Sequence, residues 1–248
     1  MIVETMSIKD IGREFRNEMQ YVAKRASYWR EEFSSLIKHT RNFPIGKFHY
    51  YDTPKGHNHF IIYFYASKRS DWKCPKVSVK MWWESSYGLS MAELWHTEDS
   101  SGIVAIYTTH CLSRFRERFL NGEQVATKDL LEGLLLATAG QMEFVTITKE
   151  ICPKEDEEQW DDLTMKKALV TKAGVFFAEC YLDGQEVLVK TFVTHDMLFP
   201  NQHAALDEYI EKCNSITISD LTRNYVDFDT SVDICGGINE CNREKLKE

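Results

Sequence analysis

Apolar residues recur at helical spacing through the first forty residues of the chain. Between residues 7 and 41 they follow one another at steps of three or four, which places them on one face of a helix. The members of this stripe are Ile11, Phe15, Met19, Val22, Ala26, Trp29, Phe33 and Leu36. Ser7 and Asp10 stand where a capping box begins a helix, with Asp in place of the usual Glu. The pattern predicts one long amphipathic helix, whose stripe serves either core packing or a helix–helix seam.

The period then shortens to that of β-strands. Aromatic and β-branched residues dominate five runs, with proline and glycine between them, which is typical of an antiparallel meander. We expect these strands at 47–51, 59–66, 76–83, 91–96 and 103–109. His57 and His59 flank Asn58 at one strand edge, but they do not indicate a metal site because the sequence offers no third ligand beside them. No metal or other cofactor is therefore expected.

The second half of the chain alternates between the two periods. It predicts helices at 110–120 and 128–139, strands at 141–148, 167–171, 175–182 and 186–194, and a last helix at 201–214. Thr127 is expected to cap the second of these helices, and Asp183-Gly184 to form a hairpin turn. The acidic run 150–163 is expected to be an exposed loop.

These elements together predict an α+β fold with a long N-terminal helix, antiparallel sheet, a central helix pair and a C-terminal helix. The expected divisions are a helix over 1–44, a β meander over 45–109, a helix pair plus sheet over 110–225 and a polar tail over 226–248. Since the strand at 103–109 leads straight into the next helix, the chain forms either separate lobes or one continuous domain.

Composition narrows the classes of protein. The formal net charge of −8 argues against a general nucleic-acid binder, although six acids lie within residues 155–162 and the rest of the chain is nearly neutral. Seven cysteines without a Cys-x-x-Cys pair indicate reduced thiols. No apolar run approaches the roughly 18 residues of a membrane span, and the first twenty residues lack the apolar core of a secretory signal. We expect a cytoplasmic protein without membrane association.

One segment, TTHCLSRFRERFL at residues 108–120, combines an imidazole with guanidinium groups at helical spacing. His110, Arg114 and Arg118 are four residues apart, so they lie within an arc of about 80° on one helix face. Such a face suits an anion, and a phosphodiester first of all. The same spacing is also typical of a solvated helix face whose arginines pair with acids such as Glu117.

This helix and the hairpin that follows it resemble a known group of domains. The hairpin contains Gly174–Phe177, then Asp183-Gly184, then Val189–Thr194. Over residues 105–205 the chain resembles the small uncharacterised bacterial and phage domains of the barnase–EndoU–colicin–RelE-like ribonuclease group. The resemblance implies a toxin-like endoribonuclease that cleaves RNA without metal, by attack of a ribose 2′-hydroxyl on the adjacent phosphodiester.

The resemblance also implies a role for each polar residue. His110 would transfer a proton, because an imidazole titrates near neutral pH, while Arg114 and Arg118 would hold the phosphate. Lys190 and His195 are candidates for the remaining cation and proton-transfer group. Residues that bind substrate would be Thr109, Thr191 and Thr194. Strand alternation puts Lys190 and His195 on opposite faces unless a bulge or the strand end intervenes.

The alternative is a non-enzymatic protein that binds a partner, its own copy or an anion. In that case helix 7–41 would supply the interface, and the His/Arg face would serve structure or anion binding. The two hypotheses predict different partners, RNA in the first and protein in the second.

Overall fold

The structure is a computed structural model that describes residues 2–97, 100–120, 125–138, 143–148, 151, 164–181 and 185–215. Its α-helices are α1 (Ile8–His39), α2 (Thr109–Phe119), α3 (Thr127–Thr138) and α4 (Pro200–Ser215). Its strands are β1 (Ile45–Asp52), β2 (His59–Ala66), β3 (Lys76–Ser85), β4 (Gly88–Thr97), β5 (Ser100–Tyr107), β6 (Glu143–Thr146), β7 (Thr164–Thr171), β8 (Gly174–Tyr181) and β9 (Glu186–Val193). The α+β class is therefore confirmed.

Some expectations fall outside the described residues. These are most of the acidic loop at 150–163, the hairpin turn at 183–184, any helix beyond residue 215 and the polar tail at 226–248. Among the helices that the structure does describe, none combines the length and the apolar character that a membrane crossing requires.

Hydrogen bonds join the described strands into a sheet in the order β1-β2-β3-β4-β5-β9-β8-β7-β6. The first five strands follow chain order, as the meander prediction requires. The chain divides into two compact units. Unit 1 takes the described residues of 2–83 and 92–104, and unit 2 takes those of 84–91 and 105–215.

In unit 1, α1 begins and packs as its pattern predicts. The Ser7 hydroxyl accepts a hydrogen bond from the Asp10 backbone at 3.2 Å, and the Asp10 carboxylate accepts one from the Ser7 backbone at 3.3 Å, which completes the capping box. The apolar stripe packs on β1 and β2, where Phe33 lies 5.8 Å from Phe64 and Trp29 stacks on His49 at 4.4 Å between ring centroids. The stripe is thus core of unit 1, and not a seam open to another helix.

The end of the stripe differs from the prediction. Leu36 is 45% exposed, whereas Ile37 is fully buried. The reason is the angle of a four-residue step, since Ile37 lies only about 40° from the buried Phe33, while a three-residue step to Leu36 turns about 60° the other way. The buried side of α1 ends at Ile37.

In unit 2, helices cover both faces of the sheet formed by β7, β8 and β9. Val170 and Val175 belong to the core beneath α4, together with Leu206. Their strand neighbours Phe176 and Phe192 point to the other face, where α2 lies. The two helices therefore lie on opposite faces of this part of the sheet.

The start of α3 also corrects an expectation. Thr127 is the first helical residue and not the residue that precedes the helix. Its hydroxyl donates to the Glu84 carboxylate at 3.0 Å. It thus joins the first turn of α3 to the end of β3 within unit 2.

Replacing Ile37 by Ala is expected to lower the free energy of unfolding by about 2–5 kcal/mol, because truncating a fully buried side chain leaves a cavity. Leu36→Ala changes an exposed neighbour and is expected to cost less than about 0.5 kcal/mol. Urea unfolding followed by circular dichroism measures both. Equal losses in the two variants would contradict this placement of the buried face.

Candidate functional site on the outer face of α2

Helix α2 is held on the sheet by its buried side and by its N-terminal residue. Thr108 is the N-cap, and its hydroxyl accepts a hydrogen bond from the Cys111 backbone at 3.1 Å. Phe115 is fully buried and lies 5.1 Å from Phe192 and 6.1 Å from Phe176 between ring centroids. Burial of this aromatic cluster fixes which side of α2 faces outward.

The backbone of β9 is tied to both ends of α2. The Thr108 backbone donates to the Val189 carbonyl at 3.0 Å, and its hydroxyl donates to the Lys190 carbonyl at 3.1 Å. At the other end of the helix the Arg118 guanidinium donates to the Phe192 carbonyl. These contacts attach both ends of α2 to the backbone of β9.

Arg118 therefore has a partner that the sequence did not reveal. Its half-buried guanidinium is engaged by the Phe192 carbonyl, whereas the resemblance assigned it to a phosphate. The helical angle explains the difference, because Arg118 lies about 80° from His110 and only about 20° from Cys111, which is fully buried. The arginine sits at the border between the outer face and the packed face.

The outer side of α2 carries an imidazole and one carboxylate along its middle, with one arginine on each flank, because Arg114 and Arg116 lie about 160° apart around the axis. His110 is exposed and forms no hydrogen bond with another described residue, and Arg116 is exposed as well. The Arg114 guanidinium donates to the Glu117 carboxylate at 2.6 Å, in an exposed pair. Exposed pairs of this kind are worth only about 0.2–1 kcal/mol. A ligand anion can therefore replace Glu117 at Arg114 at small cost.

Thr109 lies in the first turn of α2 and is engaged by the neighbouring hairpin. Its hydroxyl is 2.9 Å from that of Ser90. Gly88 has a φ of 117°, and a Cβ there would stand 2.9 Å from the Thr109 methyl group, so both conformation and space require glycine. Thr109 thereby orients the start of α2 instead of standing open for a substrate.

Lys190 lies at a β-bulge, which is one of the two irregularities that could have brought Lys190 and His195 to one face. It nevertheless does not reach the α2 face. The register of β8 and β9 shifts between Phe177 and Ala178, which leaves Lys190 as the extra residue. Its amino group lies 2.5 Å from the Glu179 carboxylate, two residues beyond Phe177, which packs toward α4. Thr191 pairs with Phe177 and shares that side. The sheet separates these groups from His110.

His195 is also held away from α2. It follows β9 in a short 3₁₀ helix, and its Nε2 lies 3.0 Å from the Thr171 carbonyl, to which it donates. Burial lowers the pKa of His195, and the nearby His203 of α4 lowers it further. The Thr194 hydroxyl bonds to Asp196 and lowers the pKa of that carboxyl. The structure thus brings His110 and Arg114 together and does not bring Lys190 or His195 to them.

The Arg114–Glu117 pair is the one that the solvated-face interpretation of α2 named, and Glu117 also lies within about 20° of His110 on the helix. One carboxylate contact was missed by sequence reasoning. In unit 1, His59 Nδ1 lies 2.7 Å from Asp52, and its ring stacks on Trp82 at 4.6 Å. That contact depends on strand register, which the sequence does not reveal. Among the described residues no group of three or more potential ligands could hold a metal ion.

Comparison with known proteins adds no relative, since no family model, curated protein or solved structure matches the chain.

Arg118→Ala is expected to lower the free energy of unfolding by about 1–3 kcal/mol, because it leaves the Phe192 carbonyl without its donor. The matched control is Arg116→Ala, on the exposed side of the same helix, which is expected to change it by less than about 0.5 kcal/mol. Urea unfolding compares the two. If both variants are equally stable, the attachment of α2 through Arg118 is refuted.

The low pKa of His195 predicts a dependence of stability on pH. The folded chain binds a proton at this imidazole less readily than the unfolded chain does. The contribution of neutral His195 to stability is complete above the ordinary imidazole pKa of about 6.5 and is lost as the pH falls through the folded pKa. His195→Gln removes this component, so the variant should lose less stability than the wild type between about pH 7.5 and about pH 5. Identical pH slopes would count against it.

Proposed function

We propose that unit 2 binds the phosphate groups of RNA on the outer side of α2, one phosphate at His110 and Arg114 and another at Arg116, which lies about 160° around the helix from Arg114. The observation that carries the proposal is the partly exposed Arg114, which forms a surface pair with Glu117 and lies one turn from an imidazole that bonds to no other described residue. Both project from a helix that Thr108 and Arg118 hold against β9. The cations are therefore presented on a fixed support, which lowers the cost of ordering them around a ligand.

The chemistry of the three side chains favours a phosphodiester over other anions. A planar guanidinium donates two parallel hydrogen bonds to phosphate oxygens. His110 adds a further hydrogen-bond donor from its ring. Because the chain as a whole is acidic, attraction over long distances is weak and binding depends on these local contacts.

Cleavage of the bound RNA is the second candidate function, and Glu117 favours it. Attack of a 2′-hydroxyl on phosphorus requires one group that takes the hydroxyl proton and another that protonates the departing 5′-oxygen. A phosphate bound at Arg114 would release Glu117, and this carboxylate and His110 lie on the same side of α2. In this scheme Glu117 takes the proton, the new P–O bond closes a cyclic phosphate, the P–O5′ bond breaks, and His110 donates the proton.

RNA binding is tested with a fluorescein-labelled oligouridine by fluorescence anisotropy, in the presence of a chelator. Arg114→Ala and Arg116→Ala are each expected to weaken binding about tenfold, since a charged hydrogen bond contributes about 1.5 kcal/mol. Arg13→Ala replaces an exposed arginine of α1 and should leave the affinity unchanged. Equal affinities in all variants, or no binding by the wild type, would refute the proposal.

The cleavage candidate uses the same oligonucleotide, now separated on a denaturing gel. His110→Ala and Glu117→Gln are each expected to slow product formation at least about a hundredfold, the usual contribution of one proton-transfer group. The product should end in a cyclic phosphate. Unchanged cleavage in His110→Ala would remove this residue from the chemistry, and RNA that binds but stays intact would leave binding as the function of the face.

A further inference from the structure

Unit 1 has a surface groove that plays no part in the function proposed for α2. It lies between α1 and β1 and encloses about 580 Å³. Two of its α1 residues are large and unusually exposed, Tyr28 at 60% and Leu36 at 45%. Glu31 and Glu32 line it between them, and Lys47 of β1 closes one side. The groove thus has Tyr28, with the Arg25 guanidinium 5.3 Å from its ring centroid, near one end, Leu36 and His39 near the other, and carboxylates between them.

The strand beside this groove has an open edge. Among the described strands β1 pairs only with β2, and it is eight residues long, whereas β6 at the other end of the sheet has four. Short edge strands and outward lysines protect sheets from added strands. β1 has neither protection. It is not short, and the Lys47 amino group turns back to Glu32 at 2.5 Å instead of pointing outward.

The ladder shows which backbone groups of β1 face outward. Beyond the paired residues, the Thr53 backbone donates to the Asn58 carbonyl at 3.0 Å, and the register between β1 and β2 is continuous. Hydrogen-bonded and non-hydrogen-bonded pairs alternate in antiparallel strands. Counting back from Thr53, the N–H and C=O groups of Phe48 and Gly46 therefore point away from β2. These are the groups that another strand would bond.

The dimensions of the groove fit one added strand. Tyr28 and Leu36 are eight residues apart, or about 12 Å along the helix. Side chains on one face of a strand repeat every ~6.8 Å, so the first and fifth residues of a strand are about 14 Å apart. A strand paired with β1 can therefore set two apolar side chains against Tyr28 and Leu36, with the third residue beside Glu31.

We propose that this groove binds an extended segment of a partner protein, which adds to β1 as a strand and carries an apolar–x–basic–x–apolar pattern. The charge of the groove selects the central residue. Glu32 is already paired with Lys47, whereas Glu31 is exposed and forms no ion pair with a described residue. Glu31 is thus the carboxylate of the groove that has no ion-pair partner among the described residues, and a Lys or Arg complements it.

A second copy of this chain is a poorer occupant. Its own β1 would offer Lys47 and His49, but both are engaged within their own chain. Glu32 binds the lysine, and Trp29 stacks on the histidine at 4.4 Å. Freeing them would break contacts of α1 with β1. The site also lies in unit 1, so the proposal does not depend on RNA binding by unit 2.

The test is selection of a random peptide library, displayed on phage, against the full chain. Enriched peptides are expected to share the apolar–x–basic–x–apolar pattern. Fluorescence anisotropy of one enriched peptide then measures the variants. Leu36→Ser and Glu31→Lys are each expected to weaken binding about tenfold, the effect of about 1.4 kcal/mol. The matched controls, Leu136→Ser on α3 and Glu211→Lys on α4, replace exposed residues of unit 2 and should bind as the wild type does.

Hydrogen exchange tests the added strand itself. On peptide binding, the amides of Gly46 and Phe48 are expected to exchange more slowly. Enrichment of peptides without the pattern, binding that survives Leu36→Ser, or unchanged exchange at these amides would each overturn the proposal. So would dimerisation of the chain in sedimentation experiments that Leu36→Ser abolishes, because the occupant would then be a second copy.

Discussion

The carbonyl groups at the far end of β9 are the constraint on which the α2 site depends. β5 ends at Tyr107, and the backbone of the next residue, Thr108, donates to the Val189 carbonyl of β9. The Thr108 hydroxyl serves Lys190 and the Arg118 guanidinium serves Phe192. Because one donor lies at each end of α2, these two bonds and the aromatic cluster beneath fix the rotation of the helix about its axis. The outward direction of His110 follows from that rotation.

The motif formed by His110, Arg114 and Arg118 is thereby divided between two roles. Arg118 attaches the helix to the sheet, whereas Arg114 forms only an exposed pair with Glu117. A strict four-residue spacing drifts by about 40° per step on an α-helix. The third member consequently reaches the border of the packed side, beside Cys111, while the first two stay on the solvent side. One chemical group thus has a structural role at one position and remains available for a ligand at another.

Sequence patterns predicted the structural features that depend on residues close together in the chain. The capping box at Ser7, the burial of α1 and the five-strand meander all follow from spacing within a few residues. The partner of Arg118 lies 74 residues further along the chain, and no local pattern reveals a contact between a side chain and a distant carbonyl. Lys190 is a second contact that local patterns do not reveal. β9 has a bulge at this residue, but the amino group pairs with Glu179 on the other side of the sheet.

The central claim is that the arginines of α2 differ in whether they can bind a ligand anion, although their spacing along the chain is regular. The most direct measurement follows the arginine Nε–Hε signals by NMR while a short RNA is added. The account predicts that the signals of Arg114 and Arg116 shift with RNA concentration, and that Arg118 keeps its position throughout. A shift of Arg118 together with a constant signal from Arg114 would contradict it.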